Sequence, residues 1–117
     1  MTAEHAPAAD PNDLARLFLE RANAGDAAGM VALYTEDAVM ALPDGRIVRG
    51  HAELLALFTA LVAGRPRFEA GAQRPALVVD GLALTSTELL DGSVTAEIAL
   101  RERDGSWRWV VDQPKVS

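Results

Sequence analysis

A chain of 117 residues, half of them hydrophobic and about a quarter charged, has the size and balance of one globular domain, too short for two cores and too apolar for a disordered polymer. Its formal net charge of −6 opposes a nucleic-acid backbone or an anionic lipid surface, and the densest basic stretch, Arg65, Arg67 and Arg74, is interrupted by Pro66 and Pro75. The lack of cysteine removes disulfides, thiolate nucleophiles and cysteine metal sites.

The Ala/Pro-rich start, residues 1–11, lacks the basic opening and apolar core of a signal peptide, and no apolar run reaches membrane-spanning length. The expectation is a disordered tail containing His5, a single domain over 12–117, and a cytoplasmic location without membrane contact. Asn12 or Asp13 is placed to cap a helix whose Leu14, Leu17, Phe18 and Ala22 share a face. Asn23-Ala24-Gly25-Asp26 stops it, and Asp26 caps a shorter helix through Met30, Val31, Leu33 and Tyr34. Residues 38–42 read as a buried strand, turned by Pro43-Asp44-Gly45 into a second strand over 46–49. Gly50 and His51 precede a third helix with Leu54, Leu55, Leu57, Phe58 and Leu61 on a wide apolar face.

Beyond Gly64-Arg65-Pro66 the pattern becomes extended. Residues 67–70, 76–79, 82–90, 94–103 and 107–111 are successive strand candidates, and Asp80-Gly81, Asp91-Gly92 and Asp104-Gly105 suit tight turns between them. Residues 71–75 read as a loop or bulge. In the fourth candidate Val94, Ala96, Ile98 and Leu100 alternate with Thr95, Glu97, Ala99 and Arg101; the apolar set is expected to face the core or a cavity, which leaves Glu97 outside, as Glu88 is, and makes Glu97 a pocket candidate only where a bulge shifts its register. The order helix, helix, hairpin, helix, meander is α+β, three helices of the N-terminal half packed on one strongly curved, mainly antiparallel sheet.

Asn23-Ala24-Gly25-Asp26, Leu33-Tyr34-Thr35-Glu36-Asp37-Ala38-Val39, Pro43-Asp44-Gly45, Arg49-Gly50 and the late Trp107-Arg108-Trp109-Val110-Val111 together resemble the nuclear transport factor 2-like superfamily, which includes SnoaL-like polyketide cyclases and ketosteroid isomerases. The resemblance implies a cone-shaped half-barrel of mixed sheet, an apolar cavity at its wide end, and a homodimer through the outer sheet face. It fixes no function, because the superfamily hosts isomerases, cyclases, hydrolases, carriers and assembly domains. The isomerase pattern also places an aspartate base and an oxyanion-binding tyrosine where this chain has Leu42 and Phe18, neither of which exchanges a proton. An epoxide hydrolase pattern finds only Arg101 and Asp104, the latter in a turn.

The cyclase resemblance implies an acid late in the sheet, and Asp112 is the nearest; strand alternation from Trp107 and Trp109, however, sends it to the opposite face. Tyr34 is the second candidate for acid–base work, since a buried phenol needs a hydrogen-bond partner. Phe18, Tyr34, Met40, Leu42, Phe58, Trp107 and Trp109 are candidate walls of a ligand cavity. His51 and Asp37 read as structural residues at a helix start and a turn. Two histidines, one in the tail, give no metal constellation, and no glycine-rich phosphate loop or nucleophile triad is present, so no cofactor is expected. Two functions follow: a pocket protein for a small apolar molecule, with cofactor-free isomerase or cyclase chemistry at a non-standard site, or a non-catalytic homodimeric accessory or assembly domain.

Overall fold

The computed structural model describes residues 5–116. A 3-10 turn at Pro11–Asp13, capped by the Asp10 carboxylate accepting from the Asn12 amide at 2.8 Å, leads into α1 (Leu14–Asn23). Gly25 then adopts φ 72°, a left-handed conformation that costs glycine little and ends the helix. Asp26 caps α2 (Ala27–Val31) by accepting from the Gly29 amide at 2.9 Å. This helix is shorter than its apolar pattern suggests. Tyr34 leaves it to open β1 (Tyr34–Ala41), which pairs with β2 (Ile47–Arg49) ahead of α3 (Gly50–Val62).

The meander follows as β3 (Ala72–Val79), β4 (Leu82–Glu88), β5 (Ala96–Arg101) and β6 (Trp107–Gln113). The sheet order is β2-β1-β6-β5-β4-β3, with β1 parallel to β6 and every other pair antiparallel. Three helices of the N-terminal half thus pack on a six-stranded, unclosed mixed sheet, the expected α+β architecture. Tight turns recur by one device: the Asp44, Asp91 and Asp104 carboxylates each accept from the backbone amide two residues on, with Gly45, Gly92 and Gly105 at positive φ between.

Four local expectations are corrected. Residues 67–70 form no strand. The bulge foreseen in 71–75 lies inside β3, where the register shifts between Arg74 and Leu77 around Pro75, a residue with no amide to give the ladder. Of the expected tail over 1–11, residues 1–4 lie outside the described residues; from His5 the segment is laid against the domain, with Ala8 buried and its carbonyl accepting from the Trp107 amide at 2.8 Å.

The fourth correction concerns the two faces of the sheet. Glu97 and Ala99 point inward and are buried, whereas Ile98 is 39% exposed. Cross-strand register carries that assignment over β3 to β6, so Leu77, Leu84, Ile98 and Val111 form one exposed apolar row. Inside, the corresponding positions of β4 and β5 are the small Ala83 and Ala99, which share the core with Leu14, Leu33, Leu54 and Phe58. The concave side is filled from the helices, which leaves small side chains for these strands and sends their large ones outward. Among the described residues no helix is long and apolar enough to cross a membrane.

The start of β3 is a close approach of backbones. A Cβ on Gly71 would lie 2.4 Å from the Glu88 carbonyl oxygen, so Gly71→Ala is expected to destabilise the fold by about 1–3 kcal/mol, read as a lowered urea midpoint at unchanged slope.

Candidate functional site

Strand alternation alone would part Trp109 from Asp112. In β6, however, Trp109 pairs with Ala99 and Val111 with Ile98, so Val110 has no partner and forms a bulge. The extra residue restores Asp112 to the face of Trp109. The expectation that Asp112 faces away from that ring is therefore wrong, and the cause is one residue of register.

On this inner face Asp112 stands directly opposite Glu97 of β5 and beside Met40 of β1. The Tyr34 hydroxyl donates to Asp112 Oδ2 at 2.5 Å, and both side chains are buried. Glu97 is held from the other side: the Trp109 indole N–H donates to Thr85 Oγ1 at 3.0 Å, and the Thr85 hydroxyl donates to Glu97 Oε1 at 2.6 Å. His51, in the first turn of α3, donates from Nε2 to the Tyr34 carbonyl at 2.9 Å and so fixes the start of β1. Its expected structural role agrees with that contact.

The group borders a cavity of about 550 Å³ lined by Phe18, Met40, Leu42, Leu57, Phe58 and Trp109 among others. The aromatic walls pack on one another. Ring centroids lie 5.6 Å apart for Phe18 and Phe58, 6.0 Å for Phe18 and Trp109, and 5.3 Å for Tyr34 and Trp109. Asn23, from the Asn-Ala-Gly-Asp stretch, adds the far rim: its amide side chain accepts from the Phe68 amide at 2.7 Å and donates to the Phe68 carbonyl at 3.0 Å, clamping a lining residue. Trp107 is buried but borders a different surface depression, beside Arg101 and Arg103. It is not a cavity wall.

Burial governs the electrostatics. Desolvation pushes Asp112 up to about 7, and the negative charge of Glu97 adds to the rise against the Tyr34 hydrogen bond. Glu97 is also raised by desolvation, while the Thr85 and Thr95 hydroxyls hold it down. Tyr34 is pushed well above its ordinary value by burial and by both carboxylates, so it stays a donor. Both carboxyls are thus raised, and Asp112 changes between its acid and carboxylate forms near neutrality.

On alternation Glu97 reaches this face only through a bulge in its strand, and Thr85 is not singled out by the sequence. The available signal was an acid and three threonines, Thr85, Thr87 and Thr95, at inward positions of apolar strands. Asp37 is exposed on β1, where it accepts from Thr35 Oγ1, and Glu88 is exposed at the end of β4. Among the described residues no group of three or more His, Cys, Asp or Glu side chains is arranged to hold a metal ion.

A model of the SnoaL-like domain family matches residues 15–112. Among solved structures, a domain of unknown function with a cystatin-like fold from Nostoc punctiforme superposes with a TM-score of 0.75 at 17% identity, over 91% of this chain and 74% of that one. A ketosteroid isomerase-like protein from Erwinia carotovora atroseptica gives 0.66 at 21% identity, over 89% and 92%. An NTF-2 like protein of unknown function from Shewanella oneidensis gives 0.69 at 16% identity, over 86% and 92%. These likenesses concern the fold. No curated protein matches the chain.

The raised pKa has a thermodynamic consequence. Asp112 keeps its proton to about pH 7 when folded and loses it near pH ~3.9 when unfolded. Between those values the folded chain binds more protons, so stability is greatest below the unfolded pKa, falls as pH rises, and levels off above the folded one, a loss of about 4 kcal/mol. Asp112→Asn is expected to flatten most of that slope, measured by urea unfolding at intervals between pH ~4 and ~8.

Proposed function

Because the chain belongs to the SnoaL-like family, whose fold carries many unrelated activities, we propose its function from the cavity: it takes up a small apolar molecule and moves protons on it without a cofactor, as an isomerase or cyclase does. The observation that supports this reading is the buried Asp112, hydrogen-bonded to Tyr34, opposite Glu97, and titrating near 7 at the polar end of an aromatic-walled cavity. Two neighbouring carboxyl groups with different hydrogen-bond partners can divide acid and base work.

The division follows from the hydrogen bonds. Glu97, raised by desolvation and held by the Thr85 hydroxyl, takes a proton from carbon next to a ligand carbonyl. Asp112, in its acid form, donates to the oxygen on which the electron pair collects; the proton on Glu97 then goes to another carbon of the enol system, and the enol oxygen returns its proton to Asp112. Tyr34 holds Asp112 in place. Leu42 and Phe18 contribute only apolar wall, so this route shares neither base nor oxyanion donor with the isomerase pattern. A positioned base of this kind contributes roughly 10² to 10⁴ in rate.

A second reading is favoured by the exposed row Leu77, Leu84, Ile98 and Val111, with Val79 and Leu82 beside it. A contiguous apolar face of this kind marks an interaction surface, and the symmetrical way to cover it is a second copy of the chain. In that reading the chain is a homodimeric accessory or assembly domain, and the cavity need not turn anything over.

Two experiments address these readings. With 2-tetralone in D₂O, exchange of the α-hydrogens followed by NMR is expected to exceed the buffer rate and to fall by about 10² or more in Glu97→Gln and Asp112→Asn; exchange at the buffer rate in the wild-type protein removes the proton-transfer half. Sedimentation at micromolar concentration is expected to show a dimer that Leu84→Glu converts to monomer, and a monomeric wild-type chain removes the second reading.

A further inference from the structure

The polar end of the cavity carries more negative charge than its surroundings balance. Glu97 and Asp112 face each other across β5 and β6, both buried, and neither forms an ion pair among the described residues. The basic residue on the cavity wall is Arg16 of α1, whose guanidinium is shared between Asp13 at 3.6 Å and Glu20 at 3.1 Å and whose side chain is 56% exposed. The loop before β3 adds Glu69, a third acid, at the wall. From α3, His51 turns its Nε2 to a backbone carbonyl.

The donors facing the pair are also committed. Tyr34 gives its hydroxyl proton to Asp112 Oδ2 and Thr85 gives its own to Glu97, while Asp112 Oδ1 receives no hydrogen bond from a described residue. The same cavity is walled by the rings of Tyr34, Trp109, Phe18 and Phe58, packed edge-on or tilted on one another. Aromatic faces attract a cation as carboxylates do, and the attraction grows where water is excluded. Two independent features, a buried carboxyl pair without a cation among the described residues and an aromatic cavity wall, ask for the same chemistry.

We propose that the cavity binds apolar organic amines, with the ammonium group between Asp112 and Glu97 and the hydrocarbon body against Phe18, Tyr34, Phe58 and Trp109. The inference rests on the cavity admitting a ligand and is independent of proton transfer to carbon. An ammonium takes the place of the proton that the carboxyl pair holds: Asp112 ionises, its proton leaves to solvent, and the bound cation meets two carboxylates. An amine in this position therefore excludes the acid form needed for carbonyl chemistry. Anionic ligands are excluded, because their charge would stand against the pair without a cation to relieve it.

The test compares three ligands of one shape, 2-(2-naphthyl)ethylamine, 2-(2-naphthyl)ethanol and 2-naphthylacetate, by titration calorimetry at pH ~6 and ~8. The amine is expected to bind at least about tenfold tighter than the alcohol at the higher pH, to lose part of that margin at the lower pH, and to release protons on binding there. The carboxylate is expected not to bind. Glu97→Gln and Asp112→Asn, checked for fold by circular dichroism, should bring the amine down to the alcohol; if either fails to fold, the wild-type pH dependence decides. An alcohol that matches the amine at both pH values, a margin that survives both substitutions, or a carboxylate that competes overturns the inference and leaves the cavity reading standing. Absence of binding by all three overturns both.

Discussion

Val110 has no partner across the β5–β6 ladder, and the site depends on that surplus residue. Without the bulge, Trp109 and Asp112 would lie on opposite faces, and an apolar cavity would have no acid at its polar end. With it, β6 presents an indole and then a carboxyl to the same interior. Each connects to a different strand, Trp109 through Thr85 of β4 to Glu97 of β5, and Asp112 to Tyr34 of β1. Four strands are thereby tied at one depth, and a change at any of them alters how the carboxyl pair is held.

The same arrangement is costly. Two acids buried against each other each lose hydration, and that desolvation, with the charge of Glu97 added, pushes Asp112 up to about 7. Nothing in the architecture requires this. Ala83 and Ala99, at inward positions of the same strands, show that small apolar side chains serve the core there. A pair that opposes folding above neutral pH and sits at the edge of a cavity has the character of a functional site, where stability is given up for chemistry or recognition.

Much of the architecture was legible because its signals are local. The apolar spacing from Leu14 to Ala22, the stop at Gly25, the Asp26 cap and the Asp-Gly turns each act within a few residues, and the structure uses them as read. The faces of the meander were not legible. In β4 and β5 both sides of the sheet are apolar or small, so large residues such as Leu84 and Ile98 suggest a core that in fact lies on the other side. Period-two reasoning also assumes an unbroken ladder, and the bulge at Val110 leaves no mark in composition. Phe18, Tyr34, Met40, Leu42 and Phe58 were legible as cavity walls because they sit at element ends or on helix faces, where register error is smaller. Trp107 was misplaced by its resemblance to Trp109, two residues away on the same face but at the end of β6 that pairs with Ala8.

The outward leucines and the inward acids are two sides of one constraint. In β4 and β5 the inner face carries Ala83 and Ala99 beside Thr85 and Glu97, and the large hydrophobic residues that give these two strands their β-propensity lie on the convex face. That face then needs cover. A second copy would supply it while leaving the concave side open to a ligand, because the two surfaces belong to opposite sides of the same sheet. Assembly and binding in this fold are therefore not alternatives imposed by space. The carboxyl pair bears on the concave side alone, since Ala83 and Ala99 show that the core there is served by small apolar side chains.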